Sequence, residues 1–272
     1  MKKTSIQEKE LRQSIIDANN KLEADKLKEK GIVYDSKKWI SENAYCNTVD
    51  IALMSIIDNE LAVLLIKREE KKDNPYGGFF ALPGGYVNQT DEDAFAAAQR
   101  ELEEETGLKD IFLEQLYTFT KKGRDPREMI ANMPVRIWSV AFIALVDHTK
   151  IHAIAGSDAT EAKWFKISEL PKLAFDHEEI ISMAVDRVRG KVNYSNFGFE
   201  LLPKKFTINQ LREVFESIMG EEIDRNNFRT KLTKMGILVE TKDKKKEGPG
   251  QPSPYYRLDY EKLKSLKGRS LF

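Results

Sequence analysis

What this chain has least of narrows it first. A single cysteine, Cys46, stands among 272 residues, so no disulfide can close within the chain and a reducing compartment is the simple expectation. The three histidines, His148, His152 and His177, are scattered, which argues against a zinc site of the usual His/Cys kind. No apolar run approaches the ~20 residues of a membrane span. The charged start Met1-Lys2-Lys3-Thr4 lacks the apolar stretch of a secretion signal, so the expectation is a soluble cytoplasmic protein without membrane contact. Net charge is missing as well: 44 Lys and Arg balance 44 Asp and Glu, and any imbalance has to be read segment by segment. There is no internal repeat, and the one low-complexity piece is Lys242 to Pro254.

What is present is enough for a core: 41% of residues are hydrophobic and 32% charged, over a length comfortable for two domains. Residues 4–30 read as a helix with a sparse apolar stripe, either a surface helix on the body or a dimer contact. Val49 to Ile57 and Leu61 to Ile66 flank the turn Asp58-Asn59 and predict a β-hairpin. Phe79 to Leu82 is a short strand ended by Pro83-Gly84-Gly85, and Asp91 to Thr106 has helical periodicity with Gly107 as its stop. Further strands are expected at Phe112 to Phe119, Arg136 to Val146 and Ala162 to Ile167, and a helix at Asp176 to Arg189. Past Pro203 the pattern becomes helix (Thr207 to Met219), helix (Arg225 to Met235, capped by Asp224), strand, loop, strand. The fold class is α+β with a mixed sheet. The expected divisions are an N-terminal helical extension over 1–45, a mixed-sheet domain over 46–200 and a smaller module over 201–272.

Three carboxylates carry the chemistry. Glu101, Glu104 and Glu105 stand at i, i+3 and i+4, so they share a helix face, while Phe95, Ala98 and Leu102 lie on another that can pack. Like charges at this spacing weaken a helix unless a cation joins them. Magnesium suits such a site because it takes oxygen ligands and bridges to substrate phosphates; manganese is the alternative. Read alone, the same residues also fit a solvated acidic face.

The wider pattern separates the two. Gly84-Gly85, Glu92 and the run Arg100-Glu101-Leu102-Glu103-Glu104-Glu105-Thr106-Gly107-Leu108 resemble the Nudix box, Gx5Ex7REUxEExGU. The resemblance implies an α/β/α sandwich and attack of water on a diphosphate linked to another moiety. It makes Glu101, Glu104 and Glu105 metal ligands, Arg100 an orienting residue and Glu92 a support. Six residues separate Gly85 from Glu92 where the family has five, which puts the role of Gly85 in question. The general base varies in the family: it is Glu101, or an acid from a loop outside the box. Here the loop Gly156 to Glu161 offers Asp158 and Glu161, the latter equally readable as a salt-bridged surface residue.

From Arg225 onward, Lys and Arg outnumber Asp and Glu by more than two to one. The second helix of the module carries Arg225, Asn226, Asn227, Arg229, Lys231 and Lys234, and the following loop carries Lys244 and Lys245. A basic helix followed by a basic hairpin is the layout of a winged helix-turn-helix, with the helix in a major groove and the lysines on phosphates; a solvated charged face fits the same residues. Gly123-Arg124-Asp125-Pro126-Arg127, Ser139 to Phe142, Leu173-Ala174-Phe175-Asp176-His177 and Phe199 to Pro203 resemble the Nudix-related transcriptional regulators (NrtR-like) from about Thr48 to Leu258. That resemblance implies a Nudix domain joined to a DNA-binding winged helix, a homodimer, and binding of ADP-ribose or a related nucleoside diphosphate-linked or sugar-phosphate ligand. It leaves two activities open: hydrolysis, or sensing alone by a repressor of NAD or sugar metabolism. Arg124 and Arg127 are candidates to clamp the diphosphate, or else loop charges pairing with Asp125. His177 reads as a helix-start or packing residue.

Overall fold

In a computed structural model of the chain, the described residues are 21–22, 25–26, 29–31, 45–71, 74–130, 135–150, 159–192, 197–246 and 251–265. The chain forms two compact units, residues 1–44 with 132–135, and the remainder. In the first, residues 21–22, 25–26 and 29 are helical. The rest of the helix expected over 4–30, and with it the choice between surface helix and dimer contact, lies outside the described residues.

The larger unit is built on a seven-stranded mixed sheet. Strands β1 (Tyr45–Ile57) and β2 (Glu60–Arg68) form the expected hairpin. Asp58 and Asn59 both take positive φ, 48° and 62°, the backbone of a type I′ turn that matches the twist of its strands. β3 (Phe80–Ala81) pairs with β2, and β4 (Gly84–Tyr86) with β1. β5 (Glu114–Phe119) forms an edge against β6 (Arg136–Leu145), which runs parallel to β1. β7 (Ala159–Lys166) lies antiparallel to β2. Alternation along β1 sends Val49, Ile51 and Leu53 to one face, where they meet Ala97, Ala98 and Leu102 of helix α1 (Ala94–Thr106). Ala52 and Met54 go to the other face. There they meet Ile180, Ile181 and Ala184 of helix α3 (His177–Val192), which follows the short helix α2 (Arg127–Ile130). Each of the larger of these side chains, the valines, leucines, isoleucines and methionine, contributes roughly 1.5–3 kcal/mol when fully buried. The result is the expected α/β/α sandwich.

Helix α1 begins three residues later than its periodicity predicts, because Asp93 caps it by accepting from Ala96 N at 2.8 Å. Phe95 consequently sits in the exposed first turn, 37% exposed, and only its ring edge meets Phe142; it is not part of the packing face.

After Leu202 come helix α4 (Ile208–Met219), started by a capping box of Thr207 and Gln210, and helix α5 (Arg225–Met235), capped by Asp224 and stopped by Gly236 at φ 60°. Strands β8 (Leu238–Lys245) and β9 (Ser253–Leu258) form the wing, and a bridge from Phe206 to Tyr256 ties it back. A last helix, α6 (Tyr260–Ser265), follows. β8 extends five residues past its expected end at Glu240, so Lys244 and Lys245 lie in the arm of the hairpin, opposite Pro254 and Ser253, and not in the loop. The division expected between residues 200 and 201 is crossed by one continuous core: Val188 and Val192 of α3 pack with Phe199, Leu202, Phe206, Phe215 and Phe228 in the same cluster as Met54, Leu65 and Ile143.

Candidate functional site

The sandwich leaves a cavity of about 690 Å³ between the start of β4, helix α1, the end of β2 and the start of α3. Its acidic wall comes from α1: Glu101, Glu104 and Glu105 all line it, together with Gly84, Gly85 and Arg100. Local folding explains the proximity. Gly84 pairs with Asp50 across β4 and β1, and its N–H donates to Glu105 Oε2 at 2.7 Å. Gly85 has no side chain where Glu101 needs room: a Cβ there would stand 2.5 Å from the Glu101 carboxyl carbon. The extra residue after Gly85 therefore does not displace this glycine from the site.

The three glutamates are not alike. Glu104 is exposed, whereas Glu105 is 7% exposed. Burial, only partly offset by the Gly84 N–H, pushes the Glu105 carboxyl up to about 8; burial also raises Glu101, against the pull of Arg100. Arg100 donates through Nη1 to Glu101 Oε1 at 2.7 Å and to Glu104 Oε2 at 3.1 Å. Its Nε and Nη2 hold Asp91 at 3.0 and 2.9 Å, and Nη2 also reaches the Tyr86 carbonyl. Among the described residues no three His, Cys, Asp or Glu side chains converge as a ligand set, because Arg100 holds two of these carboxylates and Gly84 the third.

Glu92 is exposed and does not line the cavity; the acid that supports Arg100 is its neighbour Asp91. Five residues separate Asp91 from Gly85, the spacing the family pattern asks of its first acid. The additional residue thus falls between Asp91 and Arg100, not before the acid. Glu161 lies inside β7, opposite Lys67, exposed and away from the cavity, and Asp158 lies outside the described residues.

Arg124 touches the cavity but is occupied. Its guanidinium, 4% exposed, grips Asp176 through Nε at 2.9 Å and Nη2 at 2.6 Å and reaches Asp50 at 3.3 Å. It is a buried structural pair and not a free clamp, a correction to the expected role. Asp50 is the centre of this floor: it accepts from Ser139 Oγ and lies 3.3 Å from His177 Nε2. Burial alone would raise its carboxyl, but His177, Arg124 and Ser139 outweigh that and hold it well below the usual carboxylate range. His177 Nδ1 accepts from Leu82 N at 2.9 Å, which leaves Nε2–H to face Asp50. His177 is therefore the first residue of α3 and a packing residue, as its sequence context suggests.

Arg127 remains at the cavity, its Nε and Nη2 both on Asp125. The cavity also holds a second cation that the sequence reading passed over. Arg68, at the end of β2, donates to Pro75 O at 3.1 Å and to Asn74 Oδ1, and no carboxylate pairs with it among the described residues. It was hidden in the run Lys67-Arg68-Glu69-Glu70-Lys71. The signal available was strand alternation, which puts Arg68 on the face of Ile66, another cavity residue. Phe175, between the Arg124 partner Asp176 and the buried Ala174, adopts φ 54°, which costs a non-glycine residue roughly 1–3 kcal/mol. Its neighbours hold it there: Ala174 N donates to Phe80 O at 2.8 Å on one side, and Asp176 and His177 are bonded on the other.

The basic helix also has a definite aspect. Phe228 and Leu232 of α5 are buried, and Arg225, Asn226, Asn227, Arg229, Lys231 and Lys234 are all exposed on its remaining faces. Lys244 is exposed on the wing and Lys245 half-buried. Among the described residues no helix is long and apolar enough to cross a membrane.

Comparison with known proteins agrees with this geometry. Residues 47–183 match the NUDIX domain model, and residues 198–258 match the NrtR DNA-binding winged helix domain. The ADPR responsive transcriptional repressor NtrR of Acinetobacter baylyi is 31% identical over 222 residues, covering 79% of this chain and 83% of the relative. An ADP-ribose pyrophosphatase of Methanocaldococcus jannaschii is 40% identical over 131 residues, covering 48% of this chain and 70% of the relative. The crystal structure of Shewanella oneidensis NrtR complexed with a 27mer DNA superposes with a TM-score of 0.65 at 30% identity, covering 83% of this chain and 99% of that one.

Proposed function

Because the chain belongs to the Nudix family and carries the winged helix of the NrtR regulators behind that domain, we propose that it binds DNA and hydrolyses ADP-ribose or a related nucleoside diphosphate sugar with magnesium. Residues 46–200 are the ligand-binding part, 201–272 the DNA-binding part and 1–45 an extension; the working form is a homodimer. One observation carries the enzymatic half. A single cavity is lined by both carboxylates and guanidiniums, the pairing a metal-bound diphosphate needs.

The oxygen chemistry of the three carboxylates suits a magnesium ion, which would have to draw them off Arg100 and the Gly84 N–H. Glu101, Glu104 and Glu105 would hold it, since two of them are kept from ionising freely by burial and would gain from a cation. Manganese has the same oxygen preference. When bound, the ion would polarise a phosphoryl oxygen for attack by water. Arg100 releases Glu101 and Glu104 for this while Asp91 keeps its guanidinium in place. Arg127 and Arg68 bind the diphosphate. Glu101 is the general base, as a half-buried carboxylate on the cavity wall. The ADP-ribose pyrophosphatase relative supports the choice of substrate.

Incubation with magnesium and a panel of nucleoside diphosphate compounds tests this. AMP and a sugar phosphate are expected from ADP-ribose; no phosphomonoester from any compound would refute hydrolysis.

A second reading, a repressor that senses the ligand without cleaving it, is favoured by the hold of Arg100 on Glu101 and Glu104 and by the repressor relative that spans most of the chain. Glu104→Gln with Glu105→Gln separates the two. Hydrolysis predicts lost turnover with ligand-free DNA binding intact; sensing alone predicts no turnover to lose.

A further inference from the structure

Four cavity residues, from three elements and the turn before α3, form one chain of cation–π contacts. The Arg127 guanidinium lies over the Tyr86 ring at 5.0 Å and over the Phe175 ring at 5.7 Å, and the Arg68 guanidinium lies over the same Phe175 ring at 5.0 Å. All four line the cavity that the glutamates also line. A guanidinium seated on a ring keeps its N–H edge free for hydrogen bonds. Here one edge of each is already fixed, by Asp125 for Arg127 and by Asn74 and Pro75 O for Arg68. The two cations also repel: burial first, and Arg127 second, lower the affinity of Arg68 for its proton. Glu105, Asp125 and Asp50 offset that repulsion at Arg68, and the Phe175 ring touches both guanidiniums. Phe175 is held for that task in the left-handed region, its backbone pinned on both sides, and the edge of Tyr76 packs on it at 5.0 Å.

Resting on the diphosphate reading given above, we propose that Phe175, with Tyr86, is the positioning residue of the anion site: it orients Arg68 and Arg127 so that each presents an N–H edge to a phosphate of the ligand. In the site so proposed, the rings serve the arginines and not the nucleobase.

The test is calorimetry with magnesium, using inorganic pyrophosphate and ADP-ribose as probes, on the wild type, Phe175→Leu, Phe175→Tyr, Tyr86→Leu and Arg68→Lys. Phe175→Leu is expected to weaken both probes alike, by about 3- to 30-fold. Phe175→Tyr, which keeps the π face, stays within about twofold, and in turnover assays Phe175→Leu raises KM with kcat nearly unchanged. Loss of ADP-ribose binding with pyrophosphate unaffected would put the ring on the base and overturn the inference. So would Phe175→Tyr no better than Phe175→Leu, or a wild type that fails to bind pyrophosphate. A wild type that binds pyrophosphate but not ADP-ribose would overturn the nucleotide reading while leaving the anion site standing. If Phe175→Leu does not fold, Tyr86→Leu decides, and unchanged pyrophosphate affinity in that variant refutes the proposal.

Discussion

Gly84 and Gly85 are neighbours with different duties, and substitution separates them. A Cβ on Gly84 would meet Val49 O at 2.1 Å, a backbone atom that cannot move alone, so Gly84→Ala should lower stability by about 1–3 kcal/mol or more in denaturant titration. A Cβ on Gly85 meets only the mobile tip of Glu101. Gly85→Ala should therefore fold with an unchanged denaturation midpoint and lose at least about tenfold in magnesium-dependent ligand affinity, a loss of roughly 1.4 kcal/mol. Glu105 sets a pH dependence. Its carboxyl is raised from 4.5 to about 8, so the folded metal-free protein holds a proton that the unfolded chain has given up. That contribution is complete below about 4.5 and is lost as pH rises through about 8. Magnesium displaces the same proton, so the thermal shift on adding magnesium should grow between pH 6 and 8.5, and Glu105→Gln should abolish the trend. At this scale the sequence was partly legible. The box fixes the spacing of the glutamates and Arg100, and Arg127 comes from the separate stretch Gly123 to Arg127; all of them line the cavity. Asp91 was missed for Glu92 because two adjacent acids are indistinguishable without the guanidinium between them and the helix. In the sequence Arg124 reads as an open candidate for a clamp and Arg68 is passed over, because burial decides which arginine is already paired, and burial does not show in a run of charges.

Elements were easier to read than residues, since periodicity and caps are local. The hairpin turn at Asp58-Asn59 and the starts of α4 and α5 follow from side chains within four residues. β8 was read too short because its outer half, Thr241 to Lys245, has no apolar alternation; pairing with β9 supplies what propensity does not. Helix α5 carries the prediction for DNA. Phe228 and Leu232 anchor it, leaving Arg229 and Lys231 on exposed faces. If both contact phosphates, Arg229→Ala and Lys231→Ala should each weaken binding to all sequences alike and reduce the slope of log affinity against log salt by about one. A base-reading role for Arg229 would show instead as a loss of about 1–3 kcal/mol confined to particular operator positions. Fluorescence anisotropy across a salt series distinguishes them.

On the scale of the whole molecule, the core does not stop where the composition changes. Phe215 of α4 is 1% exposed and shares a cluster with strand residues of the sheet, with Phe199 and Phe228 against its ring. The larger unit should accordingly unfold in one transition, and Phe215→Ala should lower its stability by about 3–5 kcal/mol while moving the near-ultraviolet signals of both parts together. Two separate melting steps would contradict this. The boundary could not be read from the sequence because Val188, Val192 and Phe199 look the same whether they close one core or bridge two. The shared interior bears on grafting as well as on folding. A reader of DNA seated on another domain's hydrophobic floor cannot be lifted out and grafted elsewhere without rebuilding the surface it stands on. Substitutions in that floor are therefore felt by both parts at once.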